Sequence, residues 1–242
     1  VENLIGIIPA AGKGTRFFST GWSKELAPIV INDDTGWMPV SDFIVERMML
    51  AGVEDIRFLI SADKTDIQEY YNDQTFSFVV RETNREWPKF IALMKGISPD
   101  DIILMGFPDT IWYPKNGFTD AIQMLKKKDF DIVVGAFPIE HPEHFGRIEL
   151  EGDKVVRILD KSTTKVTGPA LVWGFVVFKG KAIPDLMPLF YQSKDPKGKM
   201  GVVKFKNGAY LDTGTIPDYV TASEFVRRNE GKNLKRIAEL KR

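Results

Sequence analysis

Residues 4–16 read Leu4-Ile5-Gly6-Ile7-Ile8-Pro9-Ala10-Ala11-Gly12-Lys13-Gly14-Thr15-Arg16, an apolar run that breaks at a proline into a glycine-punctuated loop. The run has the length and composition of a buried strand, and the loop behind it has the makings of an anion site. Gly12 and Gly14 can adopt positive φ and carry no side chain, so successive backbone N–H groups can turn inward toward phosphate oxygens. Lys13, Arg16 and Lys24 add charge. Alternating glycines also make plain turns, so the surrounding spacing has to decide. A P-loop has four residues between its glycines and Ser or Thr after its Lys. Here five separate Gly6 from Gly12, and Gly14 follows Lys13. The dinucleotide fingerprint puts a third glycine where this chain has Phe17, which disfavours a hydride-transfer enzyme.

Outward from this stretch the pattern alternates. Pro39 to Gly52 places Phe43, Ile44, Arg47, Met48 and Leu50 around an amphipathic helix, and Ile56 to Ile60 is a β-rich run. Strand, loop, helix and strand make a βαβ unit with a parallel pair. Asp63 to Tyr71 reads as a second helix, Phe76 to Val80 as a third strand, Pro88 to Gly96 as a helix, and Ile102 to Met105 as a buried strand delivering Gly106-Phe107-Pro108-Asp109-Thr110. Gly117 to Lys128 is a helix with a basic end, suited to its dipole. Asp131 to Phe137 is strand-like, Phe145 to Leu150 and Val155 to Leu159 form a hairpin, and Leu171 to Phe178 is a long apolar strand. Near the end, Thr215 and Asp218 start a helix over Tyr219 to Arg228, with Asp212 ahead of it. The alternation predicts a Rossmann-like sheet whose ligands gather at the carboxyl ends of its strands.

Composition narrows the chemistry. The 242 residues are 43% apolar, enough for one large α/β domain over residues 1–242. Thirty-three basic and 33 acidic side chains cancel, so no global field recruits nucleic acid or an anionic membrane. Cysteine is absent, which removes disulfides and thiolate metal sites, and the two histidines, His141 and His144, flank Pro142 in what reads as a solvated turn. No apolar stretch has the length of a membrane span, and a cytoplasmic protein follows as the default.

The stretch GIIPAAGKGTRF (6–17) followed by SKELAPI (23–29) resembles the signature of the sugar nucleotidyltransferases, a GGxGTR-like loop with a lysine after a short spacer. Three later segments are similar to that family's motifs in the same order: Gly106 to Thr110, the hairpin from Phe145-Gly146 to Asp160-Lys161-Ser162, and Leu211-Asp212-Thr213-Gly214-Thr215-Ile216-Pro217-Asp218-Tyr219. The resemblance implies an α/β Rossmann-like three-layer sandwich with a mixed, mostly parallel central sheet. It also implies the transfer of a nucleotidyl group from a nucleoside triphosphate, dTTP or UTP, to a sugar 1-phosphate. By resemblance, Ala10, Ala11, Gly12, Gly14, Thr15, Arg16 and Arg81 bind nucleotide, Arg16 and Lys24 act on the reacting phosphates, Gly146, Asp160, Lys161 and Val172 bind the sugar phosphate, and Asp109 and Asp212 hold Mg2+. Pro108 stands where the family has Gly, Asp160 and Ser162 where it has Glu and Pro, and Arg81 and Trp87-Pro88-Lys89-Phe90 where it has its base-binding segment.

Such chemistry needs no base. A phosphate oxygen is already ionised at neutral pH, so what is required is alignment of two anions and neutralisation of their charge. Poverty in His and Cys fits. Neither nucleic acid nor membrane is expected as a partner, and a homo-oligomer is left open. A cytidylyltransferase for another phosphorylated small molecule and an inactive nucleotide-binding relative are the alternative readings. A glycosyltransferase is a third, though Phe107-Pro108-Asp109 lacks the short Asp-x-Asp motif frequent in that class.

Overall fold

The structure is a computed structural model that describes residues 2–12, 14, 22–32, 36–81, 92–159, 168–191 and 195–230. The first run is strand β1 (Leu4–Pro9). A 3-10 turn (Lys24–Leu26) leads into the strands β2 (Pro28–Asn32) and β3 (Gly36–Pro39), then helix α1 (Val40–Leu50), β4 (Asp55–Ser61), helix α2 (Thr65–Tyr70) and β5 (Phe76–Arg81). Strands β6 (Ile102–Gly106) and β7 (Thr110–Tyr113) precede helix α3 (Gly117–Lys127) and β8 (Ile132–Ile139). The hairpin β9 (Arg147–Glu151) and β10 (Lys154–Leu159) comes next, then β11 (Ala170–Lys179), helix α4 (Ile183–Tyr191), β12 (Met200–Lys204), β13 (Ala209–Asp212) and helix α5 (Ile216–Glu230).

Nine strands form one sheet in the order β5-β4-β1-β6-β11-β8-β12-β10-β9. The first four are mutually parallel, as are β8 and β12, while β11 runs antiparallel to both β6 and β8. The expected mixed sheet is therefore present, with its parallel run around β1. Alternation along the strands sends side chains to two faces. On one, Ile8, Phe58, Leu104, Val133 and Phe175 pack with Ile44 and Met48 of α1 and Phe118 and Leu125 of α3. On the other, Ile7, Leu59, Ile103, Val134 and Val176 meet Leu186 and Leu189 of α4. Helices on both faces make the three layers.

A third apolar cluster sits beside the first. Ile29, Ile31 and Met38 of the β2–β3 hairpin pack with Val40 and Phe43 of α1, Ile111 of β7, and Ala222 and Val226 of α5. Strand β7 also pairs antiparallel with β13 in a separate two-stranded ribbon, Thr110 opposite Asp212. Neither short pair was expected from the sequence. Of the expected helix over 88–96, residues 88–91 lie outside the described residues, 92 and 93 are helical and 94–96 form a turn. Among those described, no helix is long and apolar enough to cross a membrane.

Candidate active site

Strand β1 ends at the carboxyl edge of the parallel run and hands over to the glycine loop. Ala10 and Ala11 are buried and Gly12 is exposed. Ala10 is fixed at both ends, its N–H donating to the Leu59 carbonyl at 2.7 Å and its own carbonyl accepting from Lys64 Nζ at 2.8 Å. Gly14 has φ 61°, and a Cβ there would lie 3.4 Å from Cδ of Lys24. The loop and the lysine, ten positions apart in sequence, are thus adjacent.

The Lys24 ammonium in turn forms an ion pair with the carboxylate of Asp109. Burial works to lower the pKa of Lys24, but the charge of Asp109 and its hydrogen bond, helped by Glu25 and Asp212, hold the ammonium above its ordinary value. Asp109 lies between β6 and β7, and its carbonyl accepts the Thr213 N–H at 3.0 Å and the Thr213 hydroxyl at 2.8 Å. That contact brings the turn after β6 against the end of β13, 104 positions later. Asp212 closes β13 and accepts the Gly214 N–H at 2.9 Å. Burial, then the negative charge of Asp109, push the Asp212 carboxyl above its ordinary value. The ribbon β7–β13, and not a strand of the main sheet, presents the second aspartate.

The charge of Asp109 acts directly on Asp212, and an all-oxygen pair beside a glycine loop suits a hard cation such as Mg2+, which takes one or two carboxylates and completes its shell with water and phosphate oxygens. Asp109 and Asp212 fit that role. Among the described residues no group of three or more His, Cys, Asp or Glu gathers into a metal site. His141 and His144 belong to a surface turn at Pro142–His144.

The remaining expected residues divide. Gly146 lies against Trp173, and a Cβ at Gly146 would sit 2.3 Å from the indole Nε1. That ring also meets Phe107 at 5.5 Å and Phe190 at 4.8 Å between centroids, so it joins the hairpin to the turn that carries Asp109. The Trp173 Nε1 is buried and has no hydrogen-bond partner among the described residues. Val172 is fully buried within the core. Arg81 ends β5, on the same carboxyl edge as the glycine loop. Lys13, Thr15, Arg16, Asp160, Lys161 and the segment Trp87–Phe90 lie outside the described residues.

Sequence reasoning missed the polar contacts around Lys24. Ser23 and Glu25 are buried beside it, and their partners, Asp66 and Lys64, follow the buried strand β4. Burial pushes the Glu25 carboxyl up even though Lys64 opposes the shift. The available signal was the charged run Asp63-Lys64-Thr65-Asp66 at a carboxyl strand end, the position where α/β ligand sites form.

The family model described as "Nucleotidyl transferase" matches residues 5–229. The chain is 24% identical over 248 residues to the glucose-1-phosphate thymidylyltransferase of Neisseria meningitidis, covering 92% of this chain and 82% of that protein. It is 29% identical over 157 residues to the bifunctional protein GlmU of Methanococcus maripaludis, which spans 64% of this chain and 35% of that one. It is 37% identical over 103 residues to UTP--glucose-1-phosphate uridylyltransferase 2 of Streptococcus pyogenes, covering 42% of this chain and 31% of that one. In fold it is similar to HddC of Yersinia pseudotuberculosis, with a TM-score of 0.69, 18% identity and coverage of 91% and 98%. A Bacillus anthracis structure described as a glucose-1-phosphate thymidylyltransferase matches with a TM-score of 0.76, 16% identity and coverage of 93% and 95%. With Gly14, Lys24 and two aspartates brought together and the family model spanning nearly all of the sequence, this chain belongs to the nucleotidyl transferase family.

Proposed function

We propose that the protein joins a sugar 1-phosphate to a nucleoside triphosphate, dTTP or UTP, giving a nucleotide sugar and pyrophosphate. The observation that carries this reading is the contact chain from Gly14 to Lys24 to Asp109, with Asp212 at its far end. In the reaction an oxygen of the sugar phosphate attacks the α-phosphorus, the bond to the bridging oxygen breaks, and pyrophosphate leaves with that oxygen. The N–H groups of the glycine loop and Arg16 bind the triphosphate, Lys24 neutralises charge on the reacting phosphate, and Lys161 binds the sugar phosphate. Asp109 and Asp212 would hold Mg2+, which, when bound, offsets negative charge on the phosphates. Lysine suits its position because a point charge on a long stem can move from the Asp109 carboxylate to a phosphate oxygen without leaving the site.

Pyrophosphate release across a panel of triphosphates and sugar 1-phosphates tests the proposal, and dTTP or UTP with a hexose 1-phosphate is the expected pair. Asp109→Asn and Asp212→Asn should each slow turnover on the order of a thousandfold with little change in melting temperature, because Asn keeps turn geometry and is a poor magnesium ligand. Release with CTP alone would shift the reading to a cytidylyltransferase. No release with any pair, or an Asn variant at the parent rate, would overturn it.

A further inference from the structure

Lys24 is the middle of three consecutive residues whose neighbours are both held by one corner of the fold. Residues 62–66, between β4 and the first turn of α2, supply both holds. Asp66 accepts the Ser23 N–H at 2.6 Å through Oδ2 and the Ser23 hydroxyl at 2.7 Å through Oδ1. Lys64 Nζ donates to both oxygens of the Glu25 carboxylate at 2.7 Å and to the Ala10 carbonyl at 2.8 Å. Glu25 is 1% exposed, Lys64 6% and Ser23 9%. The corner is itself braced, since the hydroxyls of Tyr70, the last residue of α2, and of Tyr71 just after it donate to the two oxygens of Asp42 in α1 at 2.9 and 2.8 Å.

Stability alone does not account for this arrangement. A buried ion pair gains little over an apolar pair of the same volume, because both charges lose their water. The chain after Lys24 is held by other means, with the Val40 N–H donating to the Ala27 carbonyl at 3.0 Å and Ile29 and Met38 packed in the third cluster. What the corner adds is direction. A free lysine side chain samples many rotamers, and one aimed at a phosphate must lose that freedom.

We infer that Lys64 and Asp66 are positioning residues for nucleotidyl transfer. Asp66 through Ser23 and Lys64 through Glu25 fix the backbone on both sides of Lys24, so that its side chain runs past Gly14 toward Asp109. Lys64 also couples that direction to the glycine loop, because the same ammonium holds the carbonyl of Ala10 at the loop's entry. The inference rests on the proposed role of Lys24 beside the reacting phosphate.

Asp66→Ala removes both holds on Ser23 without stranding a buried charge. In the full-length protein kcat should fall roughly tenfold to a hundredfold, as expected for a misplaced reacting group, while KM for both substrates and the melting temperature stay near parent values. Amide hydrogen exchange should quicken at residues 23–27, and Asp66→Asn, whose carbonyl still accepts the Ser23 N–H, should recover most of kcat. Glu25→Met/Lys64→Met keeps the volume and releases Ala10, so it should lower kcat and also raise KM for the triphosphate but not for the sugar phosphate. A folded Asp66→Ala variant with parent kcat overturns the inference, and so does a loss of kcat that follows a general fall in melting temperature and is not rescued by Asn. If the parent protein releases pyrophosphate with no substrate pair, the proposed reaction is wrong and the exchange data decide the corner's role. Faster exchange confined to residues 23–27 in Asp66→Ala then supports positioning, and unchanged exchange overturns it.

Discussion

Gly14 shows how much a single residue contributes to this site. Its φ of 61° lies in the left-handed region, and its missing side chain leaves the Lys24 stem in place. A β-branched residue there costs about 1–3 kcal/mol in backbone strain and crowds both the lysine and an incoming phosphate. Gly14→Val should therefore weaken triphosphate binding by more than tenfold in calorimetry while the protein stays folded, a loss of about 1.4 kcal/mol or more. Parent affinity in a folded variant would remove the phosphate role of the loop. Gly14, Lys24, Asp109 and Asp212 were legible in the sequence because the chemistry restricts which residue types can serve. Glu25, Lys64 and Asp66 were not, because a polar contact across two segments leaves no periodicity and charged residues there read equally well as solvated turns.

Among the elements, those with strong periodicity were legible. The boundaries of β1, β4, β5, α1, α3, β9, β10 and β11 fall within a few residues of the expected ones. The misses have separate causes. Strands β7 and β13 have four residues each and pair with one another across most of a hundred positions, so local propensity has little to say about them. Helix α4 contains Pro188, which masks its pattern. The β2–β3 hairpin begins and ends in proline, which reads as irregular chain. One tie between elements also sets an acid limit. Asp101, just ahead of β6, accepts the Ser98 N–H at 2.8 Å and both the backbone and side-chain N–H of Asn3 at 3.0 Å. Desolvation raises its pKa, but these hydrogen bonds outweigh it and hold the carboxyl below its ordinary value. A carboxyl depressed in the fold contributes stability above its unfolded pKa and loses it as pH falls through the folded value, here below about pH 4. Asp101→Asn should thus be less stable than the parent at pH 7, with the gap narrowing below pH 4 in urea unfolding. A gap independent of pH would show that the charge is irrelevant.

At the scale of the whole molecule, Arg47 ties the third cluster to the sheet. Its buried guanidinium donates to the Trp112 carbonyl at 2.9 and 2.8 Å and to the Phe43 carbonyl at 2.7 Å, and lies 5.2 to 5.5 Å from the ring centroids of Phe43, Trp112 and Tyr113. Burial lowers its pKa, opposed by Glu46. Around it, Lys115 pairs with Glu46 and with Glu230 of α5, and the Tyr113 hydroxyl donates to Glu230 at 2.7 Å. Arg47→Met should cost about 1–3 kcal/mol in urea unfolding, since it removes both guanidinium donors from the buried Trp112 carbonyl, and Arg47→Lys should not restore it because a point charge cannot make the planar fork. A cost near zero would show that the cluster holds without it.

The ribbon that brings Asp212 beside Asp109 also sets the order in which the site comes into being. Its closing contact spans 104 positions, the Tyr113–Glu230 contact 117, and the Tyr219–Pro28 contact 191. Contacts of that separation are costly to form, since each must close a long loop of chain first. A chain emerging from synthesis can therefore raise β1 and its glycine loop well before the second aspartate arrives. A chain cut off before β13 keeps β1 and Asp109 but lacks half of the carboxylate pair, so the pair is complete only once segments a hundred positions apart have met.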